Sequence, residues 1–112
     1  MAVKEKVQGD VAILVISGKL MGGEETREVH EKVKSLLADG LKKIVIDLSK
    51  VKWLNSSGLG MLISCLSSVN SAAAKLKIAG ATEKIESVFM ITKLITVFDN
   101  YETADQAVAA FK

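Results

Sequence analysis

The chain has 112 residues, of which 49% are hydrophobic and 25% charged, a composition that suits one folded domain over residues 1–112 and excludes a disordered segment. Its 15 Lys and Arg residues against 13 Asp and Glu give a net charge of only +2, and Arg27 is the single arginine. Because the lysines are scattered, the clustered basic face that nucleic acid requires is not expected.

The cysteine and histidine counts limit disulfides and metal sites. Cys65 is the only cysteine, which excludes an internal disulfide and suits a reducing, cytoplasmic compartment. With a single histidine beside it, no cysteine–histidine zinc site can form, and neither a metal nor another cofactor is expected. The charged residues 1–6 do not resemble a signal peptide, and no apolar run reaches the roughly 18 residues of a membrane span.

Two strands are predicted at the start of the chain. Residues 3–7 alternate between apolar and polar, which is typical of an edge strand with one solvated face. Residues 11–16 are an unbroken apolar run, typical of a strand that is covered on both faces. Gly9 and Asp10 favour a turn between them, so we expect a hairpin, followed by a loop over residues 18–23.

A helix and a parallel strand are predicted next. Residues 24–39 carry a helical stripe of four apolar side chains, namely Val29, Val33, Leu36 and Leu37. Residues 43–48 are again a short apolar run, which indicates a second buried strand. A strand, a helix and a buried strand in succession indicate a crossover connection and parallel pairing.

The rest of the chain continues the alternation of helices and strands. A second helix is predicted over residues 57–74, with an inner stripe of Leu59, Leu62, Ile63, Leu66, Val69 and Ala73. A strand over residues 75–79, a helix over 82–91 and a short strand around 96–98 follow. A last helix begins after Thr103, with Gln106 in capping-box spacing. The fold class is therefore α/β, a mixed sheet of four to five strands with helices mainly on one face.

The sequence does not indicate an enzyme. His30, the only imidazole, lies on the first helix and not at a strand end where a serine hydrolase would place its base. Ser49 and Lys52 match a Ser-x-x-Lys spacing, but they fall in a connector in which no helical turn brings them together. The glycines fit neither a dinucleotide fingerprint nor a phosphate-binding loop.

A polar turn precedes the second helix and is the main functional candidate. Asn55, Ser56 and Ser57 all have side chains that cap helices, and Gly58 follows them. The simpler interpretation is a structural cap that satisfies free backbone amides. The alternative is phosphorylation, which adds roughly −1.5 to −2 charges near the positive end of the helix dipole and would repel a docked partner. The residues alone leave both interpretations open.

A small apolar patch is expected beside this turn. Met61 falls outside the predicted inner stripe and follows Gly60, so with Met21 and Leu54 it could form an exposed patch. Scattered apolar residues are common on protein surfaces. Flexible methionines beside small residues are also typical of partner-docking surfaces.

These segments resemble the STAS domain, shared by sulphate transporters and bacterial anti-sigma factor antagonists, and most of all the free-standing antagonists. The strongest part is Asp-Leu-Ser…Asn-Ser-Ser-Gly-Leu-Gly over residues 47–60. The resemblance continues through Gly-Lys-Leu at 18–20, Lys-Leu-Lys-Ile-Ala at 75–79 and Val-Phe-Met-Ile-Thr-Lys-Leu at 88–94. It covers nearly the whole chain.

The resemblance implies a phosphorylation switch. Antagonists of this family bind an anti-sigma factor that is itself a serine kinase, and so release a sigma factor for transcription. The kinase phosphorylates the first serine of the turn, which releases the antagonist, and a phosphatase restores it. Carried over, Ser56 is the phosphorylation site, and Asn55, Ser57 and Gly58 complete the turn. The implied partner-binding residues are Met21, Gly22, Gly23, Leu54, Gly60 and Met61.

Three positions depart from the family pattern. Asn55 and Met21 replace aspartates, and Lys93 replaces a glycine. The loss of two carboxylates near Ser56 leaves open a STAS protein that binds its partner without phosphoryl control. A small-molecule sensor is a third alternative, although no polar groups converge on a pocket in the sequence. The oligomeric state and the identity of the partner stay open as well.

Overall fold

A five-stranded mixed sheet is the centre of the fold. A computed structural model describes residues 2–91 and 98–111 of the chain. The strands are β1 (Ala2–Gln8), β2 (Val11–Leu20), β3 (Lys43–Leu54), β4 (Lys75–Ala79) and β5 (Asp99–Tyr101). They lie in the order β1-β2-β3-β4-β5, with β1 antiparallel to β2 and every other neighbouring pair parallel. The predicted hairpin and parallel crossover are confirmed.

The helices cover the two faces of the sheet unequally. They are α1 (Gly23–Ala38), α2 (Ser56–Ser71), α3 (Glu83–Ile91) and α4 (Ala104–Ala109). The first three pack on one face and share the larger buried cluster with it. On the other face, Ala107 and Val108 of α4 cover Val11, Ile13 and Val15 of β2. This arrangement confirms the predicted α/β class, with helices mainly on one face.

Both central strands are longer than the sequence predicts. The loop expected over residues 18–23 and the turn expected after residue 48 are partly strand, because β2 extends to Leu20 and β3 to Leu54. Beyond the part of β3 that pairs with β4, these extensions pair with each other, and the register shifts twice. The extensions mix polar and apolar residues and do not continue the apolar runs at 11–16 and 43–48, which is why the hydrophobic pattern alone ends both strands too early.

The inner face of α2 differs from the predicted stripe. Leu59, Leu62 and Val69 are buried as predicted, but Ile63 is 41% exposed and Met61 is buried. Ala73 is exposed too, because the helix ends at Ser71 and Ala73 has a positive φ of 56°. The buried residues are Gly58, Leu59, Met61, Leu62, Cys65 and Val69.

The C-terminal part follows the prediction with small changes. Thr103 Oγ1 accepts a hydrogen bond from Gln106 N at 3.1 Å, which confirms the cap, while Gln106 Oε1 accepts from Glu102 N. The strand predicted around 96–98 lies largely outside the described residues, as does Lys93, and β5 begins at Asp99. Within the described ranges, no helix is long and apolar enough to cross a membrane.

Candidate functional site

Two loops meet at the carboxyl ends of β2 and β3. Because these strands are parallel neighbours, the segment that follows Leu20 and the segment that follows Leu54 leave the sheet side by side. The ladder is extended by Asn55 N, which donates a hydrogen bond to Leu20 O at 3.1 Å. The polar turn and the loop over residues 21–23 therefore form one structural unit.

The Asn55 side chain binds both loops at once. Its Oδ1 accepts a hydrogen bond from Gly58 N at 3.0 Å and so caps α2. Its Nδ2 donates to Met21 O at 2.9 Å. An aspartate could make the first bond but not the second, since an ionised carboxylate has no donor. The amide at this departure from the family pattern thus has a definite structural role.

Two glycines allow the close approach of the loops. A Cβ on Gly58 would lie 2.2 Å from Leu20 O and 2.8 Å from Leu20 Cβ, so no larger residue fits there. Gly22 has a φ of +96°, and a Cβ on it would lie 3.0 Å from Ser57 Cβ. Both glycines are therefore needed for backbone packing around the turn.

Ser56 is the first residue of α2 and its side chain is exposed. Since Asn55 supplies the side-chain cap, the serine hydroxyls are not required for that role. The Ser56 hydroxyl makes no side-chain hydrogen bond to the residues that the structure describes. The structural cap is therefore Asn55, and capping does not explain the presence of Ser56.

Two residues of the expected apolar patch are buried. Leu54 is 1% and Met61 is 8% exposed, so neither side chain belongs to an exposed patch. Leu54 faces the helices at the end of β3, and Met61 Sδ lies 3.5 Å from Cys65 Sγ inside the core. The exposed patch expected from these two residues is therefore wrong, and their partner-binding role stays a prediction. Met21, in contrast, is 48% exposed and Gly60 is exposed, as expected.

Ile63 is the exposed apolar residue that the sequence analysis missed. Ser56, Gly60 and Ile63 are spaced i, i+4 and i+7, and all three are exposed on the outer side of α2. Together with Met21 on the adjacent loop, they form what we call the docking face. The sequence signal for it is the absence of Asp, Glu, Lys and Arg over residues 53–74, which is unusual for a helix with a solvated side.

Trp53 is also exposed, but on a different side. Since Leu54 points toward the helices, the preceding side chain points to the opposite face of the sheet. Its partner in the register of β2 is Lys19. Trp53 therefore lies outside the docking face.

Two further side chains that can ionise, Cys65 and His30, lie in or at the edge of the core. Burial raises the pKa of the Cys65 thiol to about 12, so it stays protonated and unreactive. His30 Nε2 lies 2.9 Å from Ser68 Oγ, a contact that the sequence did not predict and that links α1 to α2. Among residues 2–91 and 98–111, no three His, Cys, Asp or Glu side chains are grouped as metal ligands would be.

Comparison with known proteins identifies the family. The STAS domain model matches residues 2–107, so the chain belongs to the STAS domain family. The anti-sigma-B factor antagonist of Staphylococcus aureus is 31% identical over 67 residues, which are 60% of this chain and 62% of the relative. The chain thus matches about three fifths of the length of these staphylococcal relatives.

Solved structures share the architecture over almost the full chain. A candidate anti-sigma factor antagonist from Thermotoga maritima, TM1081, superposes with a TM-score of 0.87 at 28% identity, covering 96% of this chain and 92% of that one. The Bacillus cell fate determinant SpoIIAA in its phosphorylated form gives a TM-score of 0.76 at 15% identity, covering 99% and 100%. The SpoIIAA likeness concerns the fold.

Proposed function

We propose that this STAS protein is an anti-sigma factor antagonist whose partner is an anti-sigma factor with serine kinase activity. It binds through the docking face in the cytoplasm, without a cofactor or catalysis of its own. Phosphorylation of Ser56 releases it, a phosphatase resets it, and sigma-factor-dependent transcription is regulated in consequence. The observation that carries the proposal is the exposed Ser56 hydroxyl on the docking face, beside a cap bond that Asn55 makes instead.

The position of Ser56 suits a modification that acts on binding and spares folding. An exposed phosphate at the first residue of α2 lies near the positive end of the helix dipole, so the folded state tolerates it. A partner that covers the docking face would have to desolvate a dianion, which is costly unless it is paired. The charge therefore weakens docking selectively.

The outer side of α2 supports a protein partner in particular. Gly60 and Ile63 offer small and apolar surface on which no charged group has to be desolvated. Met21 adds a flexible apolar side chain at the edge. This surface is continuous with Ser56, so a single phosphate reaches the contact it has to break.

The antagonist names of the relatives support the same proposal. The departure at Asn55 is compatible with it, because the amide keeps the helix cap that an aspartate would make. It also binds the Met21 carbonyl, which holds the docking face in shape without a carboxylate.

The test is intact-mass spectrometry of the protein from its native cells, with fragmentation across residues 53–66 and phosphatases inhibited. We expect a phosphate on Ser56 under at least one growth condition. In a Ser56→Ala strain, we expect the phosphate to be lost and binding to the captured kinase to be retained. A protein that is unmodified at Ser56 under every condition would contradict phosphoryl control.

One observation favours a second candidate, a binding module without phosphoryl control. Both carboxylates that the family pattern places near the serine are absent here, with Asn55 and Met21 in their positions. The docking face would then be permanently available. Incubation with the captured partner and ATP separates the two candidates, because only the first gives a phosphorylated product.

A further inference from the structure

A groove between α1 and α2 contains two residue types that occur once each in the chain. It has a volume of about 260 Å³ and is lined by Gly22, Gly23, Thr26, Arg27, His30, Ser57 and Met61. Arg27 is the only arginine and His30 the only histidine. Ser57 lies in the wall of this groove, whereas Ser56 does not.

The groove exists beside Ser57 because its opposite wall has no side chain there. A Cβ on Gly22 would lie 3.0 Å from Ser57 Cβ and 3.5 Å from Ser57 Oγ, so a side chain at that position would crowd the hydroxyl. Gly23, the next residue, is open around its Cα. A tetrahedral group on Ser57 Oγ would therefore extend along the groove between the two helices.

The charge in the groove is positive. Arg27 supplies this charge, whereas His30, the other ionisable lining residue, has its pKa lowered by burial and becomes a cation only at lower pH. Glu24 and Glu25 are exposed in the first turn of α1 but do not line the groove. An arginine that lines the same groove as a serine hydroxyl can receive a phosphate monoester on that serine through a planar pair of N–H donors.

We propose that Ser57 is a second phosphorylation site, whose phosphate lies in the α1–α2 groove and is bound by Arg27. In the reaction, Ser57 Oγ attacks the γ-phosphorus of a nucleoside triphosphate that is held by a protein kinase. The new Oγ–P bond replaces the bond to the β-phosphate oxygen, the nucleoside diphosphate leaves, and the hydroxyl proton passes to the kinase's base. The site is distinct from Ser56 and does not rest on the proposed partner.

The two neighbouring serines would then have opposite effects. They are successive residues of a helix, so their side chains point about 100° apart. A phosphate on Ser56 faces a partner, while a phosphate on Ser57 connects α2 to α1 within the same domain. The first prevents docking, and the second strengthens the contact between the helices that carry the docking face.

The experiment installs phosphoserine genetically at residue 57 and, as the matched control, at residue 56. The phosphate is titrated by ³¹P NMR with and without Arg27→Gln. We expect the second pKa of phosphoserine 57 to lie below the ordinary value of about 6, and Arg27→Gln to raise it by roughly half a unit. The pKa of phosphoserine 56 should be insensitive to the Arg27 substitution.

His30 supplies an independent readout, because its ring protons are those of the only histidine. Burial and then Lys34 lower the pKa of His30, while Glu31 raises it. A phosphate on Ser57 adds negative charge to the groove that His30 also lines, and should raise the pKa of His30 by a few tenths of a unit, more than phosphoserine 56 does.

Either of two results overturns the proposal. In one, phosphoserine 57 titrates like phosphoserine 56 and ignores Arg27→Gln. In the other, phosphoserine 57 collapses the dispersion of the NMR spectrum, which would show that the groove does not accept the group. Neither measurement uses a partner protein, so both results leave the proposal for Ser56 untouched.

Discussion

The inner and outer sides of α2 differ in their burial and in the space around their glycines. The inner side presents Gly58, Leu62 and Cys65, all buried against the sheet or α1. The outer side presents Ser56, Gly60 and Ile63, all exposed. Each side contains a glycine within the first two turns, yet a Cβ on Gly58 would strike Leu20 whereas a Cβ on Gly60 would meet nothing within 4 Å. The inner side of α2 therefore packs in the core, and the outer side is left for the proposed contact with a partner.

The contrast between the two sides predicts where substitutions should change stability and where they should change binding. Changes on the inner side disturb a close-packed interior, in which even one methyl group is felt. Changes on the outer side leave the interior intact and alter what a partner meets. Four predictions test this separation, in descending order of expected effect.

The largest effect is expected from Gly58→Ala. The added methyl would lie 2.2 Å from Leu20 O, so the backbone of β2 or α2 has to shift, and we expect the free energy of unfolding to fall by roughly 3 kcal/mol or more. Denaturant unfolding measures it. Gly60→Ala is the control and should stabilise by roughly 0.5–1 kcal/mol, since alanine favours the helix and has room. Equal losses in both variants would remove the distinction between the two sides.

The next effect is on binding alone. Ser56→Asp should weaken the complex with the anti-sigma factor that the wild-type protein captures by about 10-fold or more, since burying an unpaired polar group costs roughly 1–3 kcal/mol and burying an unpaired charge costs more. Its thermal unfolding should stay close to that of the wild type, because Ser56 is exposed and does not make the cap bond. Calorimetric titration and thermal scans measure the two effects. A large loss of stability with unchanged affinity would reverse the assignment.

Asn55 connects the two sides, because it caps α2 at the buried Gly58 and also contacts Met21 of the docking face. Asn55→Ala removes the cap on Gly58 N and the bond to Met21 O, and we expect a loss of roughly 1–2 kcal/mol. Asn55→Asp keeps the cap and should lose less. With the captured kinase and ATP, faster phosphorylation of the Asp variant would show that the amide slows an existing switch. Equal destabilisation in both variants would mean that the bond to Met21 carries the whole effect.

The smallest effect concerns pH. The pKa of His30 is lowered in the folded state, chiefly by burial, so the unfolded chain binds the proton more readily. Stability should therefore rise with pH up to about 6.5, the ordinary histidine value, and be lost as the pH falls through that range. Denaturant unfolding between pH 5.5 and 7.5, compared with His30→Gln, measures this slope. If stability rises with pH to the same extent in His30→Gln, the pH dependence comes from another group.

Much of the fold could be predicted because the local signals agree with one another. The alternation of residues 3–7, the apolar runs at 11–16 and 43–48 and the capping box at Thr103 each indicate one structure. The strand extensions could not be predicted in this way. They mix polar, glycine and apolar residues without a regular pattern and pair across a shifted register, so only the neighbouring strand shows where they lie.

The register of α2 was harder to predict for a different reason. Apolar residues occur at nearly every position from Leu59 to Leu66, so two stripes of similar strength compete. The packing of Met61 and Cys65 against α1 and the sheet decides between them and turns Ile63 outward. Ser56 and Asn55 were found from their place before the helix. The bond from Asn55 to Met21 was not, since it joins residues 34 positions apart.

That long-range bond has a consequence for the order in which the molecule is assembled. The turn around Ser56 takes its form only after β2 and β3 have paired in parallel, and contacts of such high sequence separation are slow to form. A nascent or partly unfolded chain therefore carries the serine motif without the surface that presents it. Under the proposed function, a partner that recognises the assembled turn would bind only chains that have completed folding, and the regulatory signal would be limited to those chains.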